Sequence, residues 1–273
     1  MSLISLLATD EAAKQQPRDI GIILRKLFLP FGGSDVYFAS GPVVFLLDLP
    51  LPADNEAGVN FDLRLAYSLA ELARGRDKHP VRFAVRVEEG FTLEQVLQAS
   101  GYDKLRQLDG VDFIDLTKEE TVQLPTDTGL YLDEAAVYRP LAQAGLIVSL
   151  AKFKAAEDSL FGSAFCNLAL ASPSLSGLDA EQRARALVDV YSVLTPDLTV
   201  VDGWRGDSGF QQHRGDFVMA AADAVAADAV LAALSGVDME QLEYLQLAAQ
   251  YGLGEGDPGN IHLYGDDIGD LMK

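Results

Sequence analysis

The chain has 273 residues, of which 49% are hydrophobic and 23% are charged. This balance is typical of a globular protein with a substantial core and disfavours a disordered chain. An excess of acids, 41 against 21 basic residues, gives a formal net charge of −20. Because this charge repels phosphate backbones and anionic lipid head groups, we expect neither nucleic acids nor membrane surfaces as partners.

The cysteine content limits which disulfides and metal sites the chain can form, and its first residues bear on its cellular location. The single cysteine, Cys166, excludes an intrachain disulfide. It also predicts that one chain builds no cysteine-ligated iron–sulfur cluster and no cysteine-only zinc site. The opening MSLISLLATDEAAK has no basic region and only a short apolar run, so we expect no secretory signal and a cytoplasmic location.

Strand-like and helix-like segments alternate along the chain. This order predicts an α/β fold with a mainly parallel or mixed sheet and helices on both of its faces. Thr92 and Gln95 form a predicted capping box at a helix start. In the first half we expect a helix over 17–30, a strand over 43–49, a helix over 61–74, a strand over 81–87 and a helix beginning at Thr92.

The second half continues the alternation. A mixture of strand-like and turn-like residues over 117–128 supports no assignment. No internal repeat or linker divides the chain, so 1–273 is expected to be one α/β unit, although its length also allows two lobes. We expect strands over 111–116, 146–150, 198–201, 217–221 and 261–264, and helices over 134–143, 179–194, 223–234 and after Asp238.

Several sequence blocks occur in an order that resembles the family called Domain of Unknown Function 362, whose members are often labelled iron–sulfur centre proteins. The ordered set is far more specific than any one block, and it covers most of the chain. The resemblance implies a site near Lys152 and Asp202. The blocks are SGYDKL (100–105), VDFIDL (111–116), LAKFK (150–154), PDLTVVDG (196–203), D-x-x-x-x-D-A (223–229) and GLGEGDPGNIHLYG (252–265).

This sequence departs from the family pattern at polar positions. Where the family reads Pro-Lys-x-Lys-Thr-His, the chain reads AKFKAA (151–156), which keeps both lysines and lacks the hydroxyl and the imidazole. Cys166 and Asn167 stand where the family has a Lys-Asn pair. The ferredoxin-like cysteines of some relatives are also missing. These losses favour a member that kept the fold without the family's full set of polar groups.

The segment LTVVDGWRGDSGFQQHRG (198–215) is the first predicted site. Ligands of α/β proteins usually bind where strands stop at their carboxyl ends, and here an apolar strand ends in an Asp-Gly turn. Asp202 could bind a cation, act as a base, or accept backbone N–H bonds within the turn. Asp202, Asp207, His213 and Asp216 form a conceivable metal set, although their spacing matches no established signature and base rates favour a surface histidine in a polar loop for His213.

A predicted ligand-binding set lies beside this loop. Lys152 and Lys154 project to the same side of a strand that continues through them and could bind an anion; alternatively, the strand edge rises into solvent there. Cys166 is expected to be a buried thiol. The predicted ligand-binding residues are Lys152, Lys154, Asn167, Asp202 and Gly203.

Two functions are compatible with these observations. In the first, the protein is a divergent enzyme or metal-dependent relative that binds a small anion between the lysine strand end and the Asp-Gly loop. In the second, it is a non-catalytic binding or accessory protein that kept the fold. The sequence identifies no cofactor and no oligomeric state. Either site hypothesis predicts that Lys152, Lys154, Asn167, Asp202 and His213 converge on one cleft.

Overall fold

A computed structural model describes residues 2–39, 41–154, 164–204 and 216–271. Its strands form an eight-stranded main sheet and a two-stranded hairpin. The strands are β1 (Ser2–Thr9), β2 (Val43–Leu47), β3 (Val81–Val85), β4 (Val111–Asp115), β5 (Thr121–Pro125), β6 (Glu134–Tyr138), β7 (Ile147–Lys152), β8 (Leu198–Asp202), β9 (Asp216–Ala221) and β10 (Ile261–Gly265).

The main sheet has the order β10-β1-β9-β8-β7-β2-β3-β4. Strand β9 runs antiparallel to β1 and β8, and the other neighbouring pairs are parallel. The predicted mixed, mainly parallel sheet is therefore confirmed. Strands β5 and β6 pair antiparallel in the separate hairpin.

Helices cover both faces of the main sheet. The helices are α1 (Glu11–Gln15), α2 (Pro17–Leu27), α3 (Ser34–Tyr37), α4 (Leu63–Arg74), α5 (Leu93–Ser100), α6 (Arg139–Ala142), α7 (Ala180–Val193), α8 (Ala224–Ser235), α9 (Glu243–Gln250) and α10 (Ile268–Leu271). No helix in the described ranges has the length and apolar character needed to cross a membrane.

Two hydrophobic cores lie on the two sides of the sheet. Because successive strand residues point to opposite faces, Phe45 and Leu47 of β2 enter one core, and Val44 and Leu46 enter the other. Helices α2, α4 and α5 pack into the first core, and α7, α8 and α9 pack into the second. Strand β2 is buried along its whole length, as its continuous apolar run predicts.

The strand order creates a switch point beside β2. From β2 the sheet extends through β3 to β4, and the chain then returns to the other side of β2 with β7 and continues to β8. In doubly wound sheets, a crevice opens at such a reversal, outside the carboxyl ends of the strands. The fold therefore predicts a ligand-binding crevice at the carboxyl ends of β2 and β7.

The expected helix over 134–143 is wrong. Its first half is strand β6, which pairs with β5, and only α6 is helical. Strand β5 lies within 117–128, the segment for which the sequence supported no assignment. Neither strand of the β5–β6 hairpin was therefore identified from local sequence. The buried carboxylate of Asp189 on α7 fixes the connecting turn, since it accepts backbone N–H bonds from Leu130, Tyr131 and Leu132, each at 2.8 Å.

Two further segments differ from expectation. Residues Ser2–Thr9, for which the sequence pattern predicts no element, form β1 inside the sheet. The helix expected after Asp238 begins as a single 3-10 turn, Met239–Gln241, before α9. The capping box of Thr92 and Gln95 is present as predicted.

Candidate functional site

A cleft of about 420 Å³ lies at the carboxyl ends of β2, β3 and β7. We call it the strand-end cleft. Its volume is in the range of small-molecule sites, and it occupies the switch point of the sheet. Its polar lining residues are Asp48, Arg86, Glu88, Glu89, Lys154, Cys166 and Asn167.

An ion pair spans the cleft between the ends of β2 and β7. Nζ of Lys154 lies 2.9 Å from Oδ1 and 2.8 Å from Oδ2 of Asp48. The side chain of Lys154 is 28% exposed, and that of Asp48 is 10% exposed. The backbone N–H of Lys152 also donates to Asp48, at 3.2 Å. An ammonium group has three hydrogens, so Lys154 can contact a ligand while it holds Asp48.

Arg86 follows β3 directly and is held by the segment on the opposite wall. Its guanidinium donates to the carbonyl oxygens of Ala169 at 2.9 Å and Ser172 at 3.4 Å, and to Oγ of Ser176 at 2.8 Å. A guanidinium has five N–H groups, and these three bonds therefore leave two for another acceptor. The bonds fix the position of a positive charge at the cleft.

Asn167 contributes an unsatisfied acceptor. Its Nδ2 faces three acceptors, namely the carbonyl oxygens of Leu46 at 3.2 Å and Leu150 at 3.3 Å and Oγ of Ser149 at 2.8 Å, which fixes the orientation of the amide. Its Oδ1 is buried and has no hydrogen-bond partner among the described residues. Leaving a buried polar atom unpaired costs free energy, so this oxygen favours an external donor.

A second Lys–Asp pair is buried next to the cleft. Nζ of Lys152 lies 2.9 Å from Oδ2 of Asp202 and also donates to the carbonyl oxygen of Trp204. Asp202 accepts the backbone N–H groups of Asp62 at 2.7 Å and Trp204 at 2.8 Å. The two side chains are only 1% and 0% exposed. Protein groups thus satisfy the carboxylate of Asp202 on both oxygens.

Burial also changes the ionisation of this pair. Removal from water raises the pKa of Asp202, and the nearby Lys152 ammonium opposes that rise. The negative charge of Asp62 acts in the same direction as burial. The bond from the N–H of Trp204, two residues onward, is the local turn interaction that the Asp-Gly sequence predicts.

Gly203 is required by packing. A Cβ atom at this position would lie 2.5 Å from the ring of Phe217, and the Gly203 N–H donates to the Phe217 carbonyl oxygen at 3.0 Å. The next residue, Trp204, is fully buried, with the guanidinium of Arg64 5.3 Å from the centre of its ring. Gly203 therefore holds β8 against β9.

The structure separates the predicted ligand-binding set into two groups. Lys154 and Asn167 line the strand-end cleft, whereas Lys152, Asp202 and Gly203 lie in the buried layer beside it. The alternative of a strand edge in solvent is wrong for Lys152, because its ammonium is buried against Asp202. Cys166 is half-buried and lines the cleft, so the expectation of a buried thiol is also wrong.

The predicted metal set lies only partly in the described chain. Asp207 and His213 fall outside the described residues, so the set, and the convergence of His213 with the lysines, stays a prediction. Asp202 is paired with Lys152, and Asp216 is paired with Lys14. Within the described ranges, no three or more His, Cys, Asp or Glu side chains group together as metal ligands.

Sequence reasoning missed Asp48 and Arg86. Each residue directly follows a strand of the switch region, β2 or β3, so the strand-end rule that selected Asp202 applies to both. Their position in one cleft depends on the parallel pairing of β2 with β3, and the addition of Lys154 depends on β7 lying on the other side of β2; the local sequence reveals neither.

The fold and the cleft define a class: an α/β protein with a doubly wound, mixed sheet and a polar crevice at its switch point. Within that class, the family model described as "Domain of unknown function (DUF362)" matches residues 43–233, and the chain belongs to this family. No curated protein matches the chain in a sequence comparison.

Solved structures with similarity to the chain include two proteins of low sequence identity. One is the lactate racemase apoprotein from Thermoanaerobacterium thermosaccharolyticum, with 12% identity and a TM-score of 0.49 over 82% of this chain and 55% of that chain. The other is a protein from Thermotoga maritima, with 12% identity and a TM-score of 0.47 over 90% of this chain and 60% of that chain. The chain thus spans little more than half the length of either structure.

Proposed function

We propose that the strand-end cleft binds a small anion that also carries a hydroxyl or ammonium donor. The observation that carries this proposal is Asn167, which lines the same cleft as two cations and whose buried Oδ1 has no donor among the described residues. A donor on the ligand would satisfy Asn167, and an anionic group would accept from Arg86 and Lys154.

The charges of the cleft lining explain why an anion without a hydrogen-bond donor fits less well than an anion that carries one. Arg86 and Lys154 are positive, but Asp48, Glu88 and Glu89 also line the cleft. A ligand with only negative charge would meet three carboxylates. A ligand that places its anionic group near the cations and its donor near the acceptors matches both parts of the lining.

The geometry argues against a catalytic role for the buried Lys152–Asp202 pair. Lys152 and Asp202 are held by each other and by the backbone of Asp62 and Trp204. A base or nucleophile needs an atom within reach of the ligand, whereas these atoms are buried and engaged. We therefore propose a structural role for the buried pair, which fixes the strand ends that position the cleft, and a binding role for the cleft itself.

The single cysteine of the chain supports a direct test. Cys166 lines the cleft, so its alkylation by N-ethylmaleimide, followed by intact-protein mass, reports on occupancy at one site. Acetate, glycolate and glycine form a matched series with no donor, a hydroxyl and an ammonium group. We expect glycolate or glycine to slow alkylation at concentrations at which acetate does not. Equal protection by acetate, or no protection by any of the three, would contradict the proposal.

A pair of arginine variants identifies the cleft as the site. Arg86→Gln removes the fixed guanidinium and should abolish ligand protection of Cys166, because the anionic group loses its partner. Arg82→Gln changes an exposed arginine of β3, away from the cleft lining, and should leave protection unchanged. Thermal unfolding of both variants checks that each is folded. Equal protection in the two variants would place the ligand elsewhere.

A further inference from the structure

A second, larger cavity lies on the helical layer of the sheet. It has a volume of about 600 Å³ and lies between α2, α4 and the 3-10 helix Tyr102–Gln107. We call it the helix cavity. Its walls are mainly apolar and include Pro17, Ile20, Leu63 and Leu108. A ligand that covers apolar walls of this kind removes them from water, and this burial favours binding.

The charged groups at the helix cavity are of one sign. Arg64 and Lys104 line it, and no acid is among its described lining residues. This contrasts with the net charge of −20 of the chain and with the carboxylates of the strand-end cleft. The surroundings of this apolar cavity therefore complement a negative charge.

Lys104 is the cation available to a ligand. Arg64 is held by Asp62, with Nη2 2.7 Å from Oδ2 and Nε 3.0 Å from Oδ1. Lys104 is exposed and forms no ion pair with a carboxylate in the described part of the chain. An ammonium at the edge of an apolar cavity can pair with an anionic group while the remainder of the ligand lies inside.

We infer that the helix cavity binds a small amphipathic anion, a carboxylate or sulfonate with an apolar body, whose charged end pairs with Lys104. The inference does not depend on the proposed function of the strand-end cleft, because the two cavities share no lining residue. It assigns the chain a second ligand of different chemistry.

Calorimetric titration with octanoate, octanol and octylammonium tests this inference on the full chain. We expect octanoate to bind at one site, octanol to bind about fivefold more weakly, and octylammonium not to bind. Binding of octanol as tight as that of octanoate would overturn the charge-selective site, and so would the absence of octanoate binding.

Two lysine variants locate the charge. Lys104→Gln should weaken octanoate about fivefold and leave octanol unchanged, because only the ionic contact is removed. Lys26→Gln removes the same charge from an exposed position outside the lining of the cavity and should change neither affinity. Equal loss of octanoate affinity in both variants would show a general charge effect and overturn the inference.

An occlusion variant tests the cavity itself. Ser68 lines the helix cavity, and Ser68→Leu adds an apolar side chain there, which should reduce binding of both octanoate and octanol. Throughout, octanoate should leave the alkylation rate of Cys166 unchanged. Protection of Cys166 by octanoate would assign this ligand to the strand-end cleft and refute the second site.

Discussion

Two Lys–Asp pairs at the end of one strand differ in their surroundings. Lys152 pairs with Asp202 at 2.9 Å, and Lys154 pairs with Asp48 at 2.8 Å. The first pair is at most 1% exposed, whereas the lysine of the second is 28% exposed. Backbone groups complete the bonding of Asp202, while the second pair borders an open cleft. Burial and hydrogen-bond satisfaction, rather than residue type, therefore distinguish the enclosed pair from the pair that a ligand in the cleft could reach.

The largest expected effect comes from breaking the buried pair. Lys152→Met leaves the carboxylate of Asp202 buried without its counterion, which should reduce the free energy of unfolding by about 3–5 kcal/mol. Urea denaturation measures this loss. Adding Asp202→Asn to Lys152→Met should recover part of it, since the buried charge is then removed. A loss no larger than that of Lys154→Met would contradict the distinction between the two pairs.

A smaller loss is expected from the packing that holds the buried pair in place. Gly203→Ala forces a methyl group against the ring of Phe217, which should cost about 1–3 kcal/mol. Gly145→Ala is the matched control, because a Cβ at Gly145 meets no atom within 4 Å. Thermal and urea unfolding of the two variants compare them directly. Equal stability would show that the contact with Phe217 relaxes without cost.

The buried pair also predicts a pH dependence. Burial raises the pKa of folded Asp202, so the stabilisation from its protonation is present at low pH and is lost as the pH rises through the folded pKa. Lys152→Met removes the ammonium that lowers this pKa and thus raises it further. We expect the stability deficit of this variant, relative to the unmodified chain, to be smaller in mildly acidic solution than at neutral pH. Urea unfolding at the two pH values measures it.

Gly256→Ala provides the control for that measurement. A Cβ atom at Gly256 would lie 2.8 Å from the Cβ of Ala249, a contact that involves no ionisable group, so its deficit should be the same at both pH values. A Lys152→Met deficit that grows as the pH falls would contradict the assigned direction of the pKa shift.

The smallest effect on stability is expected at the cleft. Lys154→Met breaks a partly exposed ion pair and should cost about 1 kcal/mol or less. The same change should remove ligand protection of Cys166 in the alkylation assay. Lys26→Met, at an exposed position away from the cleft, should affect neither quantity. If the ligand still protects Cys166 fully in Lys154→Met, this lysine does not contact the ligand and serves only to hold Asp48.

Local sequence predicted the elements whose signals are local. Continuous apolar runs identified β2, β7 and β8, and capping residues identified the start of α5. The hairpin of β5 and β6 escaped because its pairing and the support from Asp189 come from residues distant in sequence. Strand β6 begins with Glu134 and two alanines, which are residue types that favour helices.

The candidate site was predicted in part for the same reason. The strand-end rule selected Lys152, Lys154 and Asp202, because each stands at or just after the end of an apolar strand. It could not sort the two lysines between buried and open positions, since that depends on which carboxylate each ammonium reaches. The roles of Asp48 and Arg86 required the strand order, which no local pattern contains.

Strand β1 has a consequence for how the chain assembles. It lies between β9 and β10, and both neighbours come from the last quarter of the chain. Its apolar residues, such as Ile4 and Leu6, therefore have no strand partners until those residues have been synthesised. Closing so long a loop carries an entropic cost and slows folding. Strand β1, which precedes both of its partners along the chain, must thus wait for them before it can join the sheet.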